Sequence, residues 1–165
     1  MRVISLISSL AVLGATASAN LQARAELSES PDLEITSLVI DKVEGGNLTI
    51  SFQLYNPDTL SGNNATCNGT WLSTTEGNPQ EDYELCGDTK LAWGFDAYTD
   101  VNDFILNIED RFTDPAVGKP PYDQVTVFGV VTFNDTNLEC EAMGDATCKS
   151  KKDTVVEAPI YATTA

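Results

Sequence analysis

The sequence predicts an all-β fold, a single compact barrel or sandwich of about seven to eight mostly antiparallel short strands with two local disulfides. Three observations predict it. Asn47–Tyr55 alternates cleanly, with Leu48, Ile50, Phe52 and Leu54 on one face and Thr49, Ser51, Gln53 and Tyr55 on the other, the period of two of a half-buried strand. Beyond residue 19 no stretch sustains an apolar helical period over ten residues. The four cysteines are an even set in a chain that carries an export signal, the usual mark of a disulfide framework.

That export signal is residues 1–19, MRVISLISSLAVLGATASA. One arginine, an apolar run from Val3 to Leu13 and an ending Ala17-Ser18-Ala19 make a secretory signal peptide cleaved between Ala19 and Asn20. The apolar run is too short to cross roughly 30 Å of hydrocarbon. Residues 20–32, polar and containing Ser-Glu-Ser-Pro, read as a flexible arm, and residues 33–162 as one stapled β-domain.

Cleavage leaves eight basic against twenty-five acidic residues. Such a surface repels phosphate backbones and anionic headgroups, so neither nucleic acid nor a membrane is an expected partner. Three cysteine pairings are possible. Cys67–Cys86 and Cys140–Cys148 are favoured because each closes a short, polar, glycine-containing loop. Four N-x-S/T sequons, at Asn47, Asn64, Asn68 and Asn134, are candidate glycan sites that belong at the surface; Asn68, beside Cys67, reads as the least accessible.

The strands follow in order. Leu33–Asp41 is β-branched and slips its alternation near Thr36-Ser37, as at a bulge. Gly45-Gly46 turns the chain into Asn47–Tyr55, which Asn56-Pro57-Asp58 stops because proline has no N–H for the ladder. Thr66–Leu72 and Lys90–Phe95 flank the first cysteine loop and carry both tryptophans, Trp71 and Trp93. Gly94, between Trp93 and Phe95, allows a close backbone approach or a bulge. Asp103–Glu109 turns Phe104, Leu106 and Ile108 inward, and Thr113–Tyr122, rich in proline, is a loop. Gln124–Phe133 is apolar on both faces and reads as a central strand buried on each side. Glu139–Cys148 reads as a crosslinked loop and Thr154–Tyr161 as a last strand.

Little in the chain suggests chemistry. The absence of histidine removes Ser-His-Asp and Cys-His catalysis and most transition-metal sites, and two disulfides would leave no free thiol. No cofactor is expected. What remains is a carboxylate pair of the glycosidase kind among Asp96, Asp100, Asp103, Glu109, Asp110 and Asp114; twenty-five acids produce close pairs by chance, so the chain reads as a non-enzyme. Asp96–Asp103 has an acidic density that suits calcium, without the spacing of an EF-hand, and reads as a solvated loop. Lys149, Lys151 and Lys152 form the one basic cluster and read as a balance to nearby acids. Tyr55, Trp71, Tyr98 and Tyr122 are aromatics on or near loops, candidates for binding, with Trp71 more simply placed in the core beside Cys67–Cys86.

The order "ISFQLYNPDT", "TCNGTW", "YELC", "KLAWGFDAY", "DFILNIEDRFTD", "VTVFGVVTF", a short Cys-to-Cys loop and "VVEAPIYA" resembles the Alternaria major-allergen-like family of secreted fungal proteins, which includes plant cell-death elicitors. The resemblance spans roughly residues 33–162. It implies a compact β-barrel with the same two local disulfides and an apoplastic effector or elicitor that binds host extracellular proteins. Some members are described as blocking thaumatin-like defence proteins, and some as carrying a small phenolic ligand. The founding allergen has a further N-terminal cysteine joining two subunits. No cysteine precedes Cys67 here, so no disulfide-linked dimer is expected. Two other readings are a structural protein of the fungal wall or spore surface and, more remotely, the acid-pair glycosidase.

Overall fold

A computed structural model of the chain describes residues 31–73, 79, 82–143 and 145–165, with the backbone alone at 142, 143 and 145. The expected signal peptide, its Ala19–Asn20 junction and residues 20–30 of the expected arm lie outside the described residues. Among the described residues eleven strands run β1 Leu33–Lys42, β2 Asn47–Tyr55, β3 Asn64–Leu72, β4 Glu84–Leu85, β5 Leu91–Asp100, β6 Asp103–Thr113, β7 Gln124–Phe133, β8 Leu138–Met143, β9 Asp145–Ser150, β10 Val156–Ala158 and β11 Ile160–Thr164. They build two sheets, one ordered β3-β2-β1-β9-β8 with β10 also on β1, the other β11-β7-β6-β5-β4. Every pairing is antiparallel. Of the two architectures the sequence allows, this is the sandwich: both sheets keep open edges.

The inner faces follow from the alternation. Leu48, Ile50, Phe52 and Leu54 of β2 meet Leu91, Trp93 and Phe95 of β5 and Phe104, Leu106 and Ile108 of β6 in one buried core. Trp93 is fully buried and takes Phe52 edge-on at 5.3 Å and Trp71 at 5.8 Å. Phe95 continues the chain of rings to Tyr98 and Phe104, which stacks on Phe133 at 5.1 Å. Such edge-to-face contacts add to area burial and fix ring orientation. Half-buried Trp71 packs on this core, as expected.

The bulge in the first strand is present. The register of β1 on β2 shifts between Thr36 and Val39, and Ser37 takes a left-handed φ of 55°. Its cause is an exchange of neighbours. The far side of β1 pairs with β10 through Leu33–Ile35 and with β9 through Val39–Lys42. Between them the amide of Leu38 has no ladder partner and donates instead to Ser150 Oγ at 3.0 Å.

Four local expectations change. Glu139–Cys148 is no loop: Cys140 and Cys148 are cross-strand partners in the β8–β9 hairpin. Asp96–Asp103 is likewise mostly strand, because the β5–β6 hairpin turns on Val101 and Asn102 alone. The last strand divides at Pro159, which lacks an N–H; β10 stays in the first sheet and β11 joins β7 in the second. Finally, β7 is buried on its inner face only, with Phe128 and Val130 half-exposed on the outer one.

Besides this crossover, a disulfide and a buried carboxylate tie the sheets together. Cys67 of β3 bonds Cys86 just beyond β4, stapling one edge of the first sheet to one edge of the second. Asp110 of β6 points inward and is fully buried. Its Oδ2 accepts from Asn56 Nδ2 at 2.7 Å and Ser61 Oγ at 2.5 Å, and its Oδ1 from Asn63 Nδ2 at 2.7 Å. The β2–β3 loop is thereby held on the opposite sheet by one carboxylate.

Asp110→Ala should therefore cost about 3 kcal/mol in denaturant unfolding, because it leaves three donors without their acceptor. Replacing Cys67 and Cys86 together with serine should cost about 3 kcal/mol by loop entropy, slightly more than the same change at Cys140 and Cys148. Midpoints of urea unfolding at constant slope measure both.

Candidate functional site

The outer face of the second sheet assembles a cluster that no single stretch of sequence displays. Register places Leu85, Ala92, Glu109, Phe128 and Ala162 in one row across five strands. In the next row Gly94 lies opposite Asn107, and Asn107 opposite Val130. The chain before β4 crosses directly above Gly94: a Cβ there would sit 3.4 Å from the Asp82 carbonyl oxygen and 3.8 Å from Tyr83 Cα. This is the close approach that the glycine signalled, and it carries Tyr83 onto the face.

There the Tyr83 side chain lies beside Tyr161 of β11, close enough for each phenol to bear on the other's ionisation. The Tyr161 ring lies 6.4 Å from that of Phe128. Beneath them Glu109 is buried and its Oε1 accepts from Arg111 Nε at 2.6 Å. Leu85 is 61% and Tyr161 59% exposed. The result is an aromatic and aliphatic surface set around an ion-paired carboxylate. Sequence reasoning missed Tyr83, Phe128, Tyr161 and Leu85. The available signal was the two-sided apolarity of Gln124–Phe133, since an outer row of Phe128 and Val130 must be covered or left for a partner.

The candidate carboxylates do not gather in a common cleft. Glu109 and Asp110 are consecutive on β6, so they occupy opposite faces of the sheet. Asp96 accepts from Asn107 Nδ2 at 3.1 Å. Asp100 stands across the hairpin from Asp103 and pairs with Lys42 Nζ at 2.9 Å. Asp114 Oδ1 accepts from the Ala116 amide in the β6–β7 loop. Among the described residues no three of His, Cys, Asp and Glu are placed to hold a metal ion.

The basic cluster divides as well. Lys149 faces Glu139 across the β8–β9 ladder. Lys151 Nζ donates to the carbonyls of Asp135 and Thr136 at 2.9 and 2.8 Å, so it serves a turn rather than balancing an acid. Lys151 and Lys152 line a cleft of about 430 Å³ with Ser37, Ser150 and Asp153. Asp153, like Ser37, is left-handed, with φ of 57°. Of the loop aromatics, Tyr122 is 80% exposed, Tyr55 is near the surface, and Tyr98 is half-buried with its ring on Phe95.

The sequons sort by exposure in an unexpected way. Asn47, Asn64 and Asn68 are exposed on the outer side of the first sheet, and Asn134 is the half-buried one. Asn68 is accessible because Cys67 points inward and its neighbour in the strand must therefore point outward. Asn134 sits in the β7–β8 turn, where its Oδ1 accepts from the Thr136 amide and hydroxyl at 2.9 and 2.5 Å.

Two tyrosines are hard to ionise. Burial, then the charges of Tyr161 and Glu109, the contact with Tyr161 and the charge of Asp96 push Tyr83 up to about 12. Burial, then the charge of Asp100, does the same to Tyr98. Both would ionise near 10.0 when free of the fold. A raised native value means that this part of the stability is complete below pH 10 and is lost as pH climbs towards 12. Phenolate absorbance should show two of the five tyrosines titrating late, together with unfolding, and Tyr83→Phe should remove one of them.

Compared with models of known protein families, with curated proteins and with solved structures, the chain matches none.

Proposed function

We propose that the chain is a secreted effector or elicitor of the fungal kind, acting without catalysis by binding a host extracellular protein through the outer face of the second sheet. One observation carries the reading: Tyr83 and Leu85 from β4 and its approach, Phe128 from β7 and Tyr161 from β11 come together around the Glu109–Arg111 pair. Aromatic side chains, tyrosine above all, and an exposed arginine such as Arg111 are the usual anchors of protein interfaces.

Charge selects the partner's chemistry. A chain of net charge −16 draws basic proteins and keeps acidic ones away. The intended target is therefore a cationic host protein with an apolar patch. The resemblance to secreted fungal effectors supports the same class of partner, and the scattered carboxylates favour contact over hydrolysis.

The test is affinity capture from plant apoplastic fluid. A specific cationic protein should be retained by the parent chain and by Ser51→Ala, which alters the far sheet. Leu85→Arg and Tyr161→Ala should each weaken its binding roughly thirty-fold, the scale of a 2 kcal/mol anchor. Equal retention by all four proteins would overturn the assignment of this face, and hydrolysis of a wall glycan by the purified chain would overturn the non-catalytic reading.

A further inference from the structure

Among the described residues the sandwich has open edges, and all but one carry a feature that discourages pairing with another chain. The β4 edge is two residues long. The β8 edge presents Glu139 and Glu141, both exposed. The β11 edge is five residues, follows Pro159 and is broken by a register shift between Ile160 and Ala162. Short length, charge, proline and bulges are the ordinary means of keeping a sheet edge from recruiting a stranger.

The β3 edge has none of these. Asn64–Leu72 pairs with β2 over nine consecutive positions without a shift. It contains no proline and no charged residue, in a protein with thirty-four charged side chains. Among the described residues its other side has no strand partner. A regular, uncharged edge of this length is a template for sheet extension.

What β3 does have is sequons. Asn64 and Asn68 lie on its outward face, with their Thr66 and Thr70 partners on the same side. Asn47, the start of a third sequon, stands directly opposite Leu72 at the far end. At about 3.4 Å per residue, Asn64 and Asn68 are roughly 13 Å apart and the three sites are distributed along the full strand. Asparagines outside sequons do other work: Asn56 and Asn63 hold Asp110, and Asn137 closes the β7–β8 turn. Among the described residues the amides of Asn47, Asn64 and Asn68 enter none of the side-chain hydrogen bonds.

We infer that N-linked glycans on Asn64 and Asn68, with Asn47 at the end, are the guard of the β3 edge, replacing the charges and proline that the strand lacks. A branched, hydrated sugar over the outer face denies an incoming strand the space to dock. It also leaves the opposite sheet as the unglycosylated face. The inference depends on the chain being secreted, as proposed above.

The experiment expresses the full chain in a eukaryotic secretory host and maps glycopeptides of the secreted product. Sugar is expected on Asn64, Asn68 or both. Sedimentation velocity then follows the glycosylated protein, the same folded protein after endoglycosidase, and Asn64→Gln/Asn68→Gln. The first should remain monomeric as concentration rises, and the other two should shift to dimers and larger species. Adding Thr70→Lys to the double variant should return it to monomer, whereas Asn134→Gln alone should change nothing. Secreted protein bare at both sites, a bare protein that stays monomeric, or association that survives Thr70→Lys would each overturn the guard alone. A chain that never leaves the cell would overturn the secretion reading and the guard with it.

Discussion

Two open sheets must be kept face to face, and the bond from Cys67 to Cys86 is the interaction on which that arrangement most depends. A barrel would close its edges with backbone hydrogen bonds; this sandwich closes one with sulfur. The bond lies where Phe52, the partner of Cys67 on β2, meets Trp93, so the staple and the densest aromatic packing reinforce one another. Covalent restraint matters in a domain of this size because net stability is a few kcal/mol left from much larger opposing terms.

The other ties act at different places. Asp110 is a polar counterpart of the disulfide: a carboxylate of one sheet gathers three side chains from a loop of the other. Pro159 lets a single chain segment serve both sheets in turn. Because the sheets are linked at an edge, at the β2–β3 loop and through the C-terminal crossover, their outer faces are free to differ. One carries three sequons, the other the tyrosine cluster.

Much of the fold was legible in the sequence because it is local. The alternation of Leu48 to Leu54, the slip at Thr36-Ser37, the glycine between Trp93 and Phe95 and the two cysteine pairings each reflect neighbours along the chain. The β8–β9 hairpin was not, since its polar composition resembles a loop and only the Cys140–Cys148 register reveals the ladder. The candidate site was almost wholly illegible. Tyr83 meets Tyr161 only after the sheet is built, and Asp110, one of many acids in the sequence, differs from Glu109 solely by which way a strand turns it.

The crossover at Pro159 has a practical corollary. Since it delivers the C-terminal strand to the second sheet, Tyr161 reaches the aromatic cluster only a few residues before Ala165. Any affinity handle fused after Ala165 would emerge next to the surface assigned to the partner, and a trimmed tail would remove part of that surface. Labels and immobilisation points belong instead on exposed positions of the far sheet outside its sequons, such as Gln53 or Lys149.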